Sequence, residues 1–342
     1  MKRSDFIDIS SLLLIFVVVA CGTGGGSSSN SALQSGKIIF SAHNSNDPEG
    51  ALELFTIDSD GSNQTALNIT GETPDIEEVS SGVWRIGYDV NNDIKIYDSS
   101  TEAITDLVSG GTRVDFSLSA DTIVYQGEPP QGEEMGINVY KIAVDGSEVA
   151  EQLTNVNTSN NAEWPYFSPT EDLVLFFSTD GTSTAHTIST SGTNEQEIPS
   201  PGGDTLSHKS FNSEGTEFLN PQNLTSYSIE TGAIGMINDL KSNSTILNQL
   251  EALGYEEVPT SVVEGQGGQG TFALSADWSR DGSKIVFDAL VRDAESDEVQ
   301  GIAIFVYIIA TDTLTLIYGP EVFEGSRTNN YNYSVYTPKW IP

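Results

Sequence analysis

Apolar residues fall along most of the chain in short runs, alternating or β-branched in character and divided by clusters of Gly, Asp, Asn and Ser. Alternation with a period of two predicts half-buried strands, and from residue 36 onward it holds almost throughout, so the domain is expected to be all-β. One unit recurs: an aromatic, a small polar turn, and a second aromatic nine positions on at the end of a β-branched strand. Trp278-Ser279-Arg280-Asp281-Gly282 leads to Ile285-Val286-Phe287, Phe167-Ser168-Pro169 to Val174-Leu175-Phe176, and Phe116-Ser117 to Ile123-Val124-Tyr125. Weaker copies start at Val79 and Phe211.

An alternating third run follows each pair, as at Leu52 to Ile57, Ile94 to Tyr97, Val139 to Val144 and Ile302 to Tyr307, then a turn and a fourth strand. Four antiparallel strands repeated roughly every 40 to 50 residues are the unit of a β-propeller, whose blades bury their faces only against neighbouring blades. Strand triplets ending at Phe40, Tyr88, Tyr125, Phe176, Leu219 and Phe287 predict six blades. Thr337-Pro338-Lys339-Trp340 reads as a first strand without a second, and Gly36-Lys37-Ile38-Ile39-Phe40 as a second without a first. Pairing the two closes the ring and removes the open sheet edges. The W-S-x-D-G-x-x-I-x-F unit, with its later D-G turn and Gln152-Leu153-Thr154, resembles the WD-like repeat of the TolB-type propeller. The resemblance covers about residues 36–342 and implies the fold. It does not reach that family's separate N-terminal domain, so the family's partners are not implied.

Before the domain, Lys2 and Arg3 precede an apolar run from Leu12 to Ala20, about half the length that spans a bilayer as a helix. The run ends in Val18-Val19-Ala20-Cys21, which resembles the bacterial lipobox and implies lipidation of Cys21, the only cysteine. Asp5 and Asp8 depart from the usual basic segment. Gly22 after the cysteine implies, by the family's sorting rule, an outer-membrane address, and Gly22 to Ser35 is a Gly/Ser-rich tether. The expected division is residues 1–20 as signal, 21–35 as lipidated cysteine and tether, and 36–342 as propeller.

The chain carries 49 acidic and 14 basic residues, a formal charge of −35. Removing the first 20 residues takes away two of each sign and leaves it unchanged. Such a charge repels phosphate backbones, which excludes nucleic acid as a partner, and attracts cations or basic protein surfaces. The same acidity also serves solubility in salt. The expected partners are the membrane, through the lipid, and an envelope protein; a monomer is expected.

Three elongated loops join second to third strands, Ser41 to Gly50, Gln126 to Gly136 and Asp288 to Gln300, and an insertion over about residues 238–270 links the fifth blade to the sixth. All four fall on one face. Its rim carries Asp47, Glu49, Glu128, Glu133, Glu134, Asp293, Glu295, Asp297 and Glu298, and loops on a rigid scaffold are where binding concentrates. Within the insertion, Ser244 to Leu253 has apolar residues at helical spacing and predicts one short helix packed on the rim.

Other constellations carry less. Asp58-Ser59-Asp60-Gly61-Ser62-Asn63 opens like a calcium loop, but Ile69 stands at the twelfth position where the acid belongs, and the same place reads Asp145-Gly146-Ser147 and Ser191-Gly192-Thr193 in other blades. It is a hairpin turn. Calcium remains the ion an acidic face would take, and no other cofactor is expected. His43, His186 and His208, the only histidines, have no metal-helix spacing. No G-x-S-x-G elbow occurs, and Gly265 to Gly270 lacks the Lys-Ser/Thr of a phosphate loop. Tyr331 and Tyr333 could stack on sugar but read as blade packing. The sequence thus points to a non-catalytic binding or scaffold propeller. The alternative is a propeller enzyme cleaving glycans in the central channel, which converging histidines or paired carboxylates there would favour.

Overall fold

The computed structural model describes residues 33–44, 47–127, 136–156, 160–170, 172–179, 183–199, 210–220, 224–237, 240, 243–257, 275–293, 299–320 and 337–342. Its strands form six antiparallel sheets. Blade 1 holds β1 (Lys37–Asn44), β2 (Asp47–Asp58) and β3 (Thr65–Thr70). Blade 2 is β4 (Glu72–Ser80), β5 (Val83–Val90), β6 (Asp93–Asp98) and β7 (Ala103–Ser109). Blade 3 is β8 (Gly111–Phe116), β9 (Thr122–Gly127), β10 (Asn138–Ala143) and β11 (Glu151–Gln152). Blade 4 is β12 (Ala162–Phe167), β13 (Leu173–Thr179), β14 (Ser183–Ser189) and β15 (Gln196–Glu197). Blade 5 keeps β16 (Glu217–Asn220) and β17 (Thr225–Ser228), flanked by the single bridges Phe211↔Phe218 and Tyr227↔Ile234 where its first and fourth strands shrink. Blade 6 holds β18 (Tyr255–Glu257), β19 (Ser275–Trp278), β20 (Lys284–Asp293), β21 (Val299–Ile308) and β22 (Thr313–Tyr318).

Closure is as the sequence predicts. β23 (Lys339–Trp340) pairs with β1 through Ile38↔Trp340 and Ile39↔Lys339, and the Ile341 N–H donates to the Lys37 carbonyl.

The core is not one mass but six clusters, one at each junction between blades. Alternation along the second strands produces them. In β1, Ile38 and Phe40 pack against blade 6 with Val286 and Ile304, while Ile39 packs against blade 2 with Ile76 and Ile86. In β9, Ile123 and Tyr125 face blade 2 and Val124 faces blade 4. In β13, Val174 and Phe176 face blade 3 while Leu175 and Phe177 face blade 5. A blade removed from the ring would expose both faces, so the disc stands or falls together.

The repeat's second aromatic stacks on its ladder partner in the third strand: Phe40 on Phe55 at 5.8 Å, Tyr125 on Tyr140 at 5.5 Å, Phe287 on Phe305 at 5.5 Å. In blade 4 the partner of Phe176 is His186, stacked at 5.3 Å. Blade 5 requires a correction. The Asn212 N–H donates to Glu217 as Ser279 does to Lys284, so Asn220, not Leu219, occupies the position of Phe287. The sequence triplet there ends one residue early because the aromatic that marks it is missing.

The insertion forms α1 (Ser244–Ala252), capped by the Asn243 side chain, which accepts the Thr245 N–H. Ile246 and Leu250 enter the junction between blades 5 and 6, and the Gln249 amide bonds Asp312 and Leu314 beside β22. The helix therefore packs on the propeller as expected. β18 then extends blade 6, pairing Tyr255 with Asp293 along the far half of β20.

Candidate binding funnel

The first strand of each blade lines the central axis, and its inner edge has no ladder partner. N–H groups on that edge need acceptors. The preceding blade supplies them: the Phe116 N–H donates to Asp75 at 2.7 Å, Phe167 to Asp115 at 2.7 Å, and Trp340 to Asp277 at 2.9 Å. Ser210 takes the Trp278 N–H at a longer 3.3 Å. Ladder pairing places these acceptors at one equivalent position, the residue before the repeat's first aromatic, or in blade 2 before Ile76, which holds that place instead of Val79 because the hairpin there is longer, with Tyr166 in blade 4 and Lys339 in blade 1 completing the six.

The axial ring thus brings three aspartates around one lysine. Lys339 Nζ is 3.5 Å from Asp115 Oδ1, 3.7 Å from Asp75 Oδ1 and 5.0 Å from the centre of the Tyr166 ring. Burial works against its charge, but Asp277, Asp75 and Asp115 together hold it protonated well above the usual lysine range. Burial, reinforced by Asp75, pushes the Asp115 and Asp277 carboxyls up. Three carboxylates share a single ammonium, so protons are retained at acidities where free aspartate has lost them.

Above the ring opens a funnel of about 330 Å³, to which all six blades contribute. Glu77 and Arg280 stand at its wall, with Leu118, Pro169 and Ser213 from the turns between first and second strands at its mouth. Burial and the Asp75 charge push Glu77 up to about 8.

This funnel lies on the face opposite the acidic loops singled out in the sequence, since successive turns of an antiparallel blade alternate sides. Two of those loops, Ser41 to Gly50 and Asp288 to Gln300, are shorter than the sequence suggested. β1 and β2 pair out to Asn44↔Asp47, and β20 and β21 out to Arg292↔Val299, so Asp47, Glu49 and Asp293 belong to strands and Asp288 is fully buried, accepting the Ser275 N–H and hydroxyl. The side chains of Asp47, Glu49 and Asp293 lie outside the described residues. So do Cys21, Glu128, Glu133, Glu134, Glu295, Asp297, Glu298, His208, Gly265 to Gly270, Tyr331 and Tyr333.

The Asp58 to Asn63 segment is the expected hairpin turn, with the Asp58 carboxylate held by Lys37 at 2.9 Å and Asn63 at 2.6 Å. His43 stands on β1 opposite Leu52, and His186 on the third strand of blade 4 beside Thr184 and Glu195. Neither lines the funnel. Among the described residues no three His, Cys, Asp or Glu converge as a metal site, and no helix is long and apolar enough to cross a membrane.

Sequence reasoning missed the axial ring although its signal was present. Extending the repeat one residue toward the N-terminus gives Asp115-Phe116-Ser117 and Asp277-Trp278-Ser279. The recurring acid marks the staple between blades.

Comparison with solved structures gives the same architecture. TolB from Acinetobacter baumannii superposes with a TM-score of 0.60 at 12% identity, over 90% of this chain and 67% of that one. The likeness is one of fold. A chain of a nidogen/laminin complex superposes at 0.53 with 9% identity, over 89% of this chain and 98% of that one. No protein-family profile matches the sequence, and no curated protein matches it.

Proposed function

We propose that the chain is an envelope lipoprotein whose propeller is a non-catalytic binding module, seating a basic group of a protein partner in the central funnel. The axial ring carries the reading: three carboxyl groups face one ammonium beneath an open cavity, so a second cation entering from the mouth can displace the protons that burial keeps on Asp115 and Asp277 and pair with the carboxylates. The overall charge of −35 draws such a partner from a distance. Carboxyls converging in the channel are the feature named above for the glycan-cleaving alternative, but Asp75, Asp115 and Asp277 each accept an N–H from the next blade, which suits fixed recognition better than proton transfer. Glu77, outside that set of staples and raised to about 8, is the residue on which the glycan-cleaving alternative would rest.

The lipid on Cys21 would supply the address, since each buried acyl methylene adds about 0.8 kcal/mol of membrane affinity. Leu33, within the expected tether, is buried in the core between blades 1 and 2, so the folded domain begins ahead of residue 36. We place the anchor in the outer membrane and the propeller as a monomer beside it. Labelling with a fatty-acid analogue, abolished by Cys21→Ser, tests the anchor.

Titration with tetralysine, with tetraglutamate as control, tests the funnel. Saturable, salt-sensitive binding should weaken about tenfold or more in Asp75→Asn with Asp277→Asn, which keep the acceptors for the next blade's amide. Unchanged affinity removes the funnel from consideration. Calcium competing with tetralysine only in variants that retain the acids of residues 293–298 would move the site to the opposite face. A glycan-cleaving activity lost in Glu77→Gln would replace the binding reading with the enzymatic one.

A further inference from the structure

A second cavity, a groove of about 320 Å³, lies between blades 2 and 3 at the end of the disc away from the funnel mouth. Its two walls differ in charge. Blade 2 contributes Glu72, Asp89 and Asn92, and blade 3 contributes Thr112, Arg113 and Gln126. Asp89 is buried, holds the Thr73 hydroxyl and the Arg113 backbone N–H, and is pushed up to about 7 by burial and by the charge of Glu72.

Arg113 forms no ion pair with Asp89 or Glu72, although Glu163 on its other side also favours its charge. Its guanidinium lies on the Trp164 ring, Cζ 2.9 Å from the ring centre, and its Nη1 has no hydrogen-bond partner among the described residues. Arg113 and Trp164 both hold left-handed backbone conformations, φ of 60° and 56°, at the bulge that opens the first strand, which sets the direction in which the two side chains leave the backbone. Gln126 Oε1 accepts the Trp164 N–H at 3.0 Å, so the amide nitrogen is the end left to donate.

A half-buried cation and two carboxylates across a cavity from it are satisfied together by a molecule bearing both charges. We infer that this groove binds a small zwitterion, an amino acid or dipeptide, its carboxylate on Arg113 and Gln126 and its ammonium on Asp89 and Glu72. A sugar fits less well. The Trp164 face is already covered by Arg113, and Ile137 is the one large apolar side chain in the lining, so no ring is open for stacking.

Calorimetric titration of the full chain with dialanine, N-acetylalanine, alaninamide and maltose tests the assignment. Dialanine should bind saturably, and each single-charge analogue should bind about tenfold more weakly or worse. Asp89→Asn keeps an acceptor for the Arg113 N–H, and Glu72→Gln alters an exposed residue. Both should fold and both should lower dialanine affinity by a similar factor, while Arg113→Gln should lower it for dialanine and N-acetylalanine alike. Equal binding of the three alanine derivatives, binding of maltose in place of dialanine, or no heat with dialanine at millimolar concentration would overturn the assignment.

Discussion

Replacing Lys339 by methionine removes the one ammonium from the axial ring and leaves Asp75, Asp115 and Asp277 around an apolar chain of similar length. Lys339, Asp75 and Asp115 have side chains only 11–13% exposed. Removing one partner of such a buried pair costs about 3–5 kcal/mol, and because the funnel admits water the lower end applies. With an unfolding entropy of about 2.1 cal/mol/K per residue over the roughly 240 described residues, a loss of about 3 kcal/mol lowers Tm by about 6 °C.

The pH dependence makes the test specific. Lys339 has a raised folded pKa, so its contribution is complete below the ordinary lysine value and is lost only as pH climbs through the raised one. Asp115 and Asp277 are acids with raised folded pKa values. The folded state holds protons that the unfolded chain has released, so stability falls as pH rises from the ordinary carboxylate range toward the raised values. Without Lys339 these values rise further and the fall steepens. Thermal melts followed by circular dichroism should show a small gap between wild type and Lys339→Met at about pH 5 that widens toward about pH 8. Adding Asp115→Asn should close part of it. A gap independent of pH, or no gap, would refute the account of the ring.

Two further outcomes follow from the packing. His186→Phe restores the residue type found opposite Phe40 and Phe287, so its Tm should match or exceed that of wild type; a large loss would show that the imidazole does more than stack. Deleting residues 337–342 removes β23 together with the buried Trp340 and Ile341, and should shift the whole melt as one transition, because blade 1 loses its inner strand and Asp277 its donor. An unchanged melt would sink the closure argument.

The sequence alone determined that the domain is a closed propeller of six blades. The repeat spacing is a local property, since each aromatic–turn–strand unit folds by its own alternation and turn chemistry, and the orphan strands at the two ends identify each other as partners. Even blade 5, whose aromatic has become Asn220, was found by its turn. The helix at Ser244 was legible for the same reason.

Tertiary structure alone decided where charges meet. Asp75, Asp115, Asp277 and Lys339 are separated by 40 residues or more along the chain, and only ring closure brings them to one axis. The acidic loops of the opposite face, whose side chains lie outside the described residues, stand out in sequence because loop length is visible there, whereas a single inward-facing acid in each of three blades is not conspicuous until the blades are arranged in a circle. The groove at Arg113 is hidden for a similar reason: its walls belong to different blades, and their opposition depends on the angle between neighbouring sheets.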